Sequence, residues 1–177
     1  MPLFKIFTKV EQLLVKNKAL ENYCKEKNLQ DVKEHHTSFF EENQEQLAKL
    51  LVPVVKGFWK EVGIMHGYTA FRLKHIWIQH YNEGHSHRVH IHSPLKNEWS
   101  FVYYVDCDDN SAETVFYNFG YPYIDHNHYK VKPKKGRCVI FPAASESDCA
   151  RCARCVHMHS SFRGARERDQ HTRPTLG

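Results

Sequence analysis

Residues 77–105, WIQHYNEGHSHRVHIHSPLKNEWSFVYYV, decide the fold. The first five residues are bulky at both odd and even positions, which is typical of a strand buried on both faces. Asn82, Glu83 and Gly84 then predict a turn, and an aromatic and β-branched run begins at Trp99. We therefore predict a metal-bearing β-hairpin, in which the strand of residues 77–81 pairs with the strand from Trp99 to Val105 and the histidine-rich run lies between them.

Four histidines, at positions 85, 87, 90 and 92, lie between these apolar runs. Residues two apart on a strand share a face, so His90 and His92 are expected to point at one atom. Neutral imidazole is the commonest metal ligand and suits Fe, Zn, Cu and Ni. The alternative is a solvated polar hairpin, which so dense a cluster disfavours. His85 and His87 are interpreted as surface or supporting groups.

Composition limits the classes of function. The 177 residues suffice for one domain with a sizeable core, and no tract of 18 apolar residues or secretory signal is seen. The net charge is +5, of which residues 147–177 contribute +3, so no nucleic-acid footprint is predicted. The six cysteines do not form the framework of a secreted domain. We expect a cytoplasmic protein without a membrane or nucleic-acid partner, and the sequence gives no oligomeric state.

Three regions follow one another along the chain. Residues 1–67 are predicted to be a helical support, with a wide apolar stripe over residues 47–62 in which Pro53 predicts a kink or a boundary between two helices. Residues 68–146 are predicted to be an all-β sandwich or barrel. Its short strand-like segments lie near residues 69–81, 86–93, 98–106, 113–119, 129–132 and 137–141.

The third region, residues 147–177, has a different composition. Residues 1–146 hold 16 Lys and 3 Arg, whereas residues 147–177 hold no Lys and 6 Arg. We interpret this tail as disordered, or as read in a different frame; sequencing the coding DNA would test the second hypothesis. Cys149, Cys152 and Cys155 resemble part of an iron–sulfur signature, or a zinc site with His157, but the spacing is also that of a short repeat. Residues 125–128, DHNH, are interpreted as a polar loop.

An ordered set of motifs resembles the 2-oxoglutarate/Fe(II)-dependent oxygenase superfamily, and in particular its small bacterial and phage members that are similar to prolyl hydroxylases. The set covers roughly residues 70–146. It comprises the aromatic strand and Gly turn of residues 77–84, HRVHIH at 87–92, SFVYYV at 100–105, Lys135-Gly136 and Phe141-Pro142. The resemblance implies a double-stranded β-helix, or jelly roll, buttressed by N-terminal helices.

The resemblance also implies roles for individual residues. His90 and His92 would be the first two iron ligands, with His92 at the position where the superfamily usually has a carboxylate. Tyr81 and Tyr104 would line the 2-oxoglutarate pocket, as phenols on adjacent strands. The expected cofactors are Fe(II) and 2-oxoglutarate, with ascorbate as a further option, and the substrate would be a small molecule, a peptide or a protein.

The third ligand departs from the family pattern. Residues 143–148, AASESD, contain no histidine where relatives carry the distal ligand. His157 is the candidate replacement, and Arg163 the candidate partner of the far carboxylate of 2-oxoglutarate. Without them the chain would be an impaired oxygenase. The alternatives are a cupin-like metal-binding protein without oxygenase activity, and a non-catalytic viral or structural protein that binds no metal.

Overall fold

In a computed structural model, the backbone is described for residues 5–7, 14–32, 35–82, 84–95, 98–117, 128–145, 147–152 and 155–165. Side chains are described for residues 18–31, 36–82, 84–95, 98–117 and 128–145. The elements in order are β1 (Lys5–Phe7), α1 (Leu14–Glu26), β2 (Gln30–Val32), β3 (His35–Thr37), α2 (Glu45–His66), β4 (Ala70–Tyr81), β5 (His85–His90), β6 (Glu98–Cys107), β7 (Thr114–Tyr117), β8 (His128–Val131), β9 (Cys138–Pro142), β10 (Ser147–Cys152) and β11 (Cys155–Ala165). The described residues are thus mostly strand with two helices.

The strands form two antiparallel sheets. One has seven strands in the order β1-β9-β6-β11-β4-β3-β2, and the other has four in the order β5-β10-β7-β8. The six strand segments predicted between residues 69 and 141 are confirmed. The predicted hairpin is wrong, because β4 does not pair with β6: β11 pairs with both of them, and β5 pairs with β10. A strand from the end of the sequence, β11, lies between β4 and β6.

Two apolar clusters hold these layers together. The first lies between the helices and one face of the seven-stranded sheet, and joins Leu51 and Phe58 of α2 to Ile78 and Phe101. The predicted apolar stripe therefore does pack on a sheet, and its burial supplies most of the stability of such a helix. The helix runs through Pro53 without interruption, so the predicted boundary between two helices is wrong.

The second cluster lies between the two sheets. It joins inward residues of the large sheet to residues of β7 and β8; its members are Tyr81, Val102, Tyr104, Phe116, Val131, Val139 and Phe141. Alternate residues of β6 therefore face different layers, since Phe101 and Tyr103 belong to the first cluster and Val102 and Tyr104 to the second. This explains why β6 is apolar at nearly every position.

No helix in the described part of the chain combines the length and the hydropathy that a membrane span needs. Cys24, Cys107 and Cys138, the cysteines whose side chains are described, are free thiols. The tail residues 147–152 and 155–165 form strands, but the hypothesis of a changed reading frame stays a prediction.

Candidate functional site

Three histidines of the decisive stretch meet at one cavity. His90 ends β5 and His92 follows two residues later, and their ring centroids lie 4.8 Å apart. The ring of His87 lies 4.1 Å from that of His90. All three side chains line a cavity of about 370 Å³. The structure thus brings His90 and His92 together, and His87, which we placed among surface or supporting groups, also reaches the cavity; the role of His90 and His92 as metal ligands stays a prediction.

The segment after β5 is held by the Phe-Pro motif of β9. The backbone N–H groups of His92 and Ser93 both donate to the carbonyl oxygen of Ala143, at 2.9 and 3.0 Å. The ring of Phe141 packs edge-on against that of His92, with centroids 5.4 Å apart. The Phe-Pro motif and the histidine motif are about 50 residues apart in the sequence, but residues 141–143 contact His92 and fix the position of its imidazole.

The charge state of His92 and the hydrogen bond of His90 both suit metal binding. Burial, and then the nearby His90, lower the pKa of His92 from 6.5 to about 3, so its ring is neutral at physiological pH. Nδ1 of His90 lies 2.8 Å from the carbonyl oxygen of Arg88. A carbonyl only accepts, so Nδ1–H donates, which is the tautomer that leaves the lone pair of a metal-binding imidazole on Nε2. Metal-binding histidines are commonly oriented in this way. Both rings therefore fit a metal such as Fe(II).

A third ligand is not found among the described side chains. Within that part of the chain, no group of three His, Cys, Asp or Glu residues is arranged to hold a metal ion. The register places Ser147 of β10 opposite His90, so the backbone position beside this histidine carries a serine. This agrees with the absence of histidine from residues 143–148.

The candidate replacement, His157, lies on β11. In the backbone register it is opposite Gln79 of β4 on one side and Tyr104 of β6 on the other. Gln79 lines the cavity of the three histidines. Arg163 lies six residues further along the strand, opposite Glu98 of β6. The side chains of His157 and Arg163, and those of the three tail cysteines, lie outside the described residues, so their predicted roles stay predictions.

Both candidate tyrosines are fully buried in the cluster between the sheets. The hydroxyl of Tyr81 donates to Oε1 of Gln79 at 2.7 Å, and that of Tyr104 donates to Oγ1 of Thr114 at 2.7 Å. The expectation that they lie on adjacent strands is wrong, because β11 separates β4 from β6. Tyr81 is one hydrogen bond away from the cavity through Gln79.

The basic Gly turn of the sequence motif fixes the end of β6. Gly136 has φ of +80°, a conformation that other residues adopt at a cost. Its N–H donates to the carbonyl oxygen of Tyr104 at 2.8 Å, and the N–H of Tyr104 donates to the carbonyl oxygen of Arg137 at 3.0 Å. The turn therefore holds Tyr104 in place.

An aromatic wall, which sequence reasoning missed, also lines the cavity. Phe39 and Phe40 follow β3, and Phe39 packs edge-on against Trp77 of β4 with ring centroids 5.2 Å apart. No signal in the sequence connects residues 39–40 with the histidines, since β3 pairs with β4 only in the folded chain.

Three further histidines, His36, His80 and His85, lie near one another outside this cavity. His36 is on strand β3. Its ring centroid is 5.3 Å from that of His85 and 5.8 Å from that of His80. His85 does not line the cavity of the other three. The DHNH segment at residues 125–128 begins outside the described residues, and only His128 is seen, at the start of β8.

Comparison with known proteins identifies the class of fold. The sequence matches no family profile and no curated protein. Its structure has the fold of 2-oxoglutarate/Fe(II) oxygenases, which confirms the resemblance at the level of the fold.

Three solved structures illustrate this likeness. A Pseudomonas putida prolyl-4-hydroxylase is 13% identical with a TM-score of 0.63, over 93% of this chain and 92% of the other. A Burkholderia pseudomallei oxidoreductase of the 2OG-Fe(II) oxygenase family is 12% identical with a TM-score of 0.69, over 91% and 84%. The viral collagen prolyl hydroxylase of Paramecium bursaria Chlorella virus-1 is 13% identical with a TM-score of 0.61, over 93% and 97%.

Proposed function

We propose that the chain is a 2-oxoglutarate- and Fe(II)-dependent dioxygenase that hydroxylates its substrate and is built on a double-stranded β-helix. The observation that carries this proposal is the pair of adjacent imidazoles, His90 and His92, on the wall of a cavity in a chain with this fold. When bound, iron and 2-oxoglutarate would supply the chemistry that turns a C–H bond of the substrate into C–OH, with O2 as the oxidant and with 2-oxoglutarate converted to succinate and CO2.

The residues of this chain would divide the work as follows. Nε2 of His90 and the neutral ring of His92 donate electron pairs to the metal, and His157 supplies the third ligand. Tyr81 and Tyr104 line the oxoacid site, and Arg163 pairs with the far carboxylate. Trp77 and Phe141 cover the ring of His92 and exclude water from one side of it.

A second function, metal binding without oxygenase activity, is favoured by one observation. Ser147 lies opposite His90 in the register, and a hydroxyl is a weaker ligand than the imidazole of an oxygenase. A chain whose metal site lacks its third ligand would bind iron without ordering the oxoacid. The two functions differ in their response to 2-oxoglutarate.

Anaerobic titration with Fe(II), with and without 2-oxoglutarate, separates these functions. We expect a weak visible charge-transfer band when both are present, because the oxoacid chelates the metal at an open site. His90→Ala should abolish this band. His85→Ala is the matched control, since this histidine is on the same strand but does not line the cavity, and it should keep the band.

The other outcomes are equally informative. Iron binding without the band, in the wild-type chain, supports the second function. If the chain binds no iron, or if His85→Ala loses the band as His90→Ala does, the proposal fails. His157→Ala and Arg163→Ala then test the third ligand and the oxoacid anchor by the same titration.

A further inference from the structure

The described walls of the cavity beside the histidines are largely apolar, with a few polar groups. Among the described residues that line it, there is no lysine, arginine, aspartate or glutamate. Phe39, Phe40, Trp77 and Ile91 supply apolar surface, and Thr37 and Gln79 supply polar groups. Ligand cavities are usually of this kind, largely apolar with a few polar groups, and span about 300–1,000 Å³. A charged organic group that entered would lose hydration and would find no carboxylate, ammonium or guanidinium among these described residues.

The aromatic wall of Phe39 and Phe40 is held in place before any ligand binds. Ser38 accepts from the N–H of Ile78 at 3.0 Å and its own N–H donates to the carbonyl oxygen of Ile78 at 3.1 Å. The hydroxyl of Thr37 donates to the same carbonyl and accepts from the N–H of Phe39. Thr37 and Ser38 are thus hydrogen-bonded to both the N–H and the carbonyl group of Ile78 on β4. Because the turn is already ordered, less conformational entropy is lost when a ligand binds.

The mouth of the cavity is apolar and open. Phe40 is 62% exposed, although its ring packs edge-on against Phe39 with centroids 5.3 Å apart. Ile91, between the two candidate metal ligands, is 47% exposed. An aromatic side chain that is both anchored and exposed beside a cavity offers a surface for another ring.

From these observations we propose that the cavity takes an uncharged, apolar group that carries an aromatic ring, such as a benzyl group, and that Phe40 contributes to this specificity by contacting the ring. The inference rests on the proposed function insofar as it takes the occupant to be the part of the substrate next to the metal. Phe40 is a specificity residue that touches the occupant; it does not hold the metal.

The test uses the full chain, freed of metal with EDTA, at pH 8, where histidine is ordinarily neutral. The probes are benzyl alcohol, benzylammonium and benzoate, which share one ring and differ in charge. Binding is followed by NMR through the indole N–H signals of the three tryptophans, and the signal of Trp77 is assigned from its loss in Trp77→Phe. Trp77 lines the cavity, so its signal reports on this site.

We expect benzyl alcohol to shift the Trp77 signal, and both charged probes to bind at least about tenfold more weakly. Phe40→Ala should weaken the binding of benzyl alcohol about three- to tenfold, because it removes one contact between aromatic rings. The matched control is Ile64→Ala, an apolar truncation at a side chain that is 75% exposed on α2 and does not line this cavity. It should bind as the wild type does.

Three results would overturn the proposal: equal binding of a charged probe, an unmoved Trp77 signal, or equal affinity of Phe40→Ala and Ile64→Ala. Because metal is absent, these results do not depend on the iron titration. If the iron titration fails but benzyl alcohol binds selectively, the oxygenase function is refuted and the specificity of the cavity is not. If the titration succeeds but benzyl alcohol does not bind selectively, only the specificity of the cavity is refuted.

Discussion

The carboxylate of Glu21 joins the helical layer to the turn that ends β8 and leads into β9. Its side chain is 7% exposed and accepts hydrogen bonds from Lys135 at 2.6 Å and Lys25 at 2.7 Å. The hydrogen bond from Lys135 and then that from Lys25 lower the pKa of Glu21 from 4.5 to about 2. Lys135 belongs to the Lys-Gly motif, so this contact ties the motif to α1.

The contribution of Glu21 to the free energy of unfolding depends on the burial of its carboxylate and on the exposure of the two lysines. A hydrogen bond to a charged group contributes about 1.5–3 kcal/mol. Here the two lysines are 40% and 50% exposed, so water screens both interactions. We expect Glu21→Gln to lower the free energy of unfolding by about 1–2 kcal/mol at pH 7. Because the folded-state pKa of Glu21 is depressed, this stabilisation is complete above pH 4.5 and is lost as the pH falls toward about 2.

Urea unfolding, followed by circular dichroism at pH 7 and pH 3, measures this effect. Glu45→Gln is the matched control, because its pair with Lys49 has the same i,i+4 spacing but side chains that are 69% and 73% exposed. The control should cost less than about 0.5 kcal/mol. The reasoning is refuted if the two variants lose equal free energies of unfolding at pH 7. It is also refuted if Glu21→Gln loses as much at pH 3 as at pH 7.

Two further predictions concern packing and the candidate oxoacid site. Gly63→Ala should lower the free energy of unfolding by about 1–3 kcal/mol, because its Cβ would lie 2.9 Å from the carbonyl oxygen of Tyr68. Gly57→Ala on the same helix meets nothing within 4 Å and should gain up to about 1 kcal/mol; thermal unfolding that ranked the two variants the other way would contradict this. Tyr104→Phe removes the donor to Thr114, which should cost about 1 kcal/mol in urea unfolding and weaken the 2-oxoglutarate-dependent band. A band of unchanged affinity would exclude this phenol from the oxoacid site.

Much of the local structure follows from the sequence. The six predicted strand segments and the long apolar helix are set by side-chain periodicity, which is a property of neighbouring residues. The proximity of His90 and His92 also follows, since they are only two residues apart in the chain. The ordered motifs led to the resemblance that the fold confirms.

Pairing between distant segments was decided only by the tertiary structure. Nothing local predicts that β11 enters between β4 and β6, since strands pair according to the faces that they bury and not to their order in the chain. The hairpin prediction failed for this reason. The short strands β2 and β3 escaped notice because three residues carry too little periodicity to be recognised.

The candidate site divides in the same way. The sequence alone determined that imidazoles would cluster, because that depends on spacing within one segment. The tertiary structure decided that His87 joins them, that Phe141 and Ala143 support His92, and that Phe39 and Phe40 add an aromatic wall to the same cavity. A cavity consists of surfaces from segments far apart in the chain, and only the folding of the layers against one another brings those surfaces together.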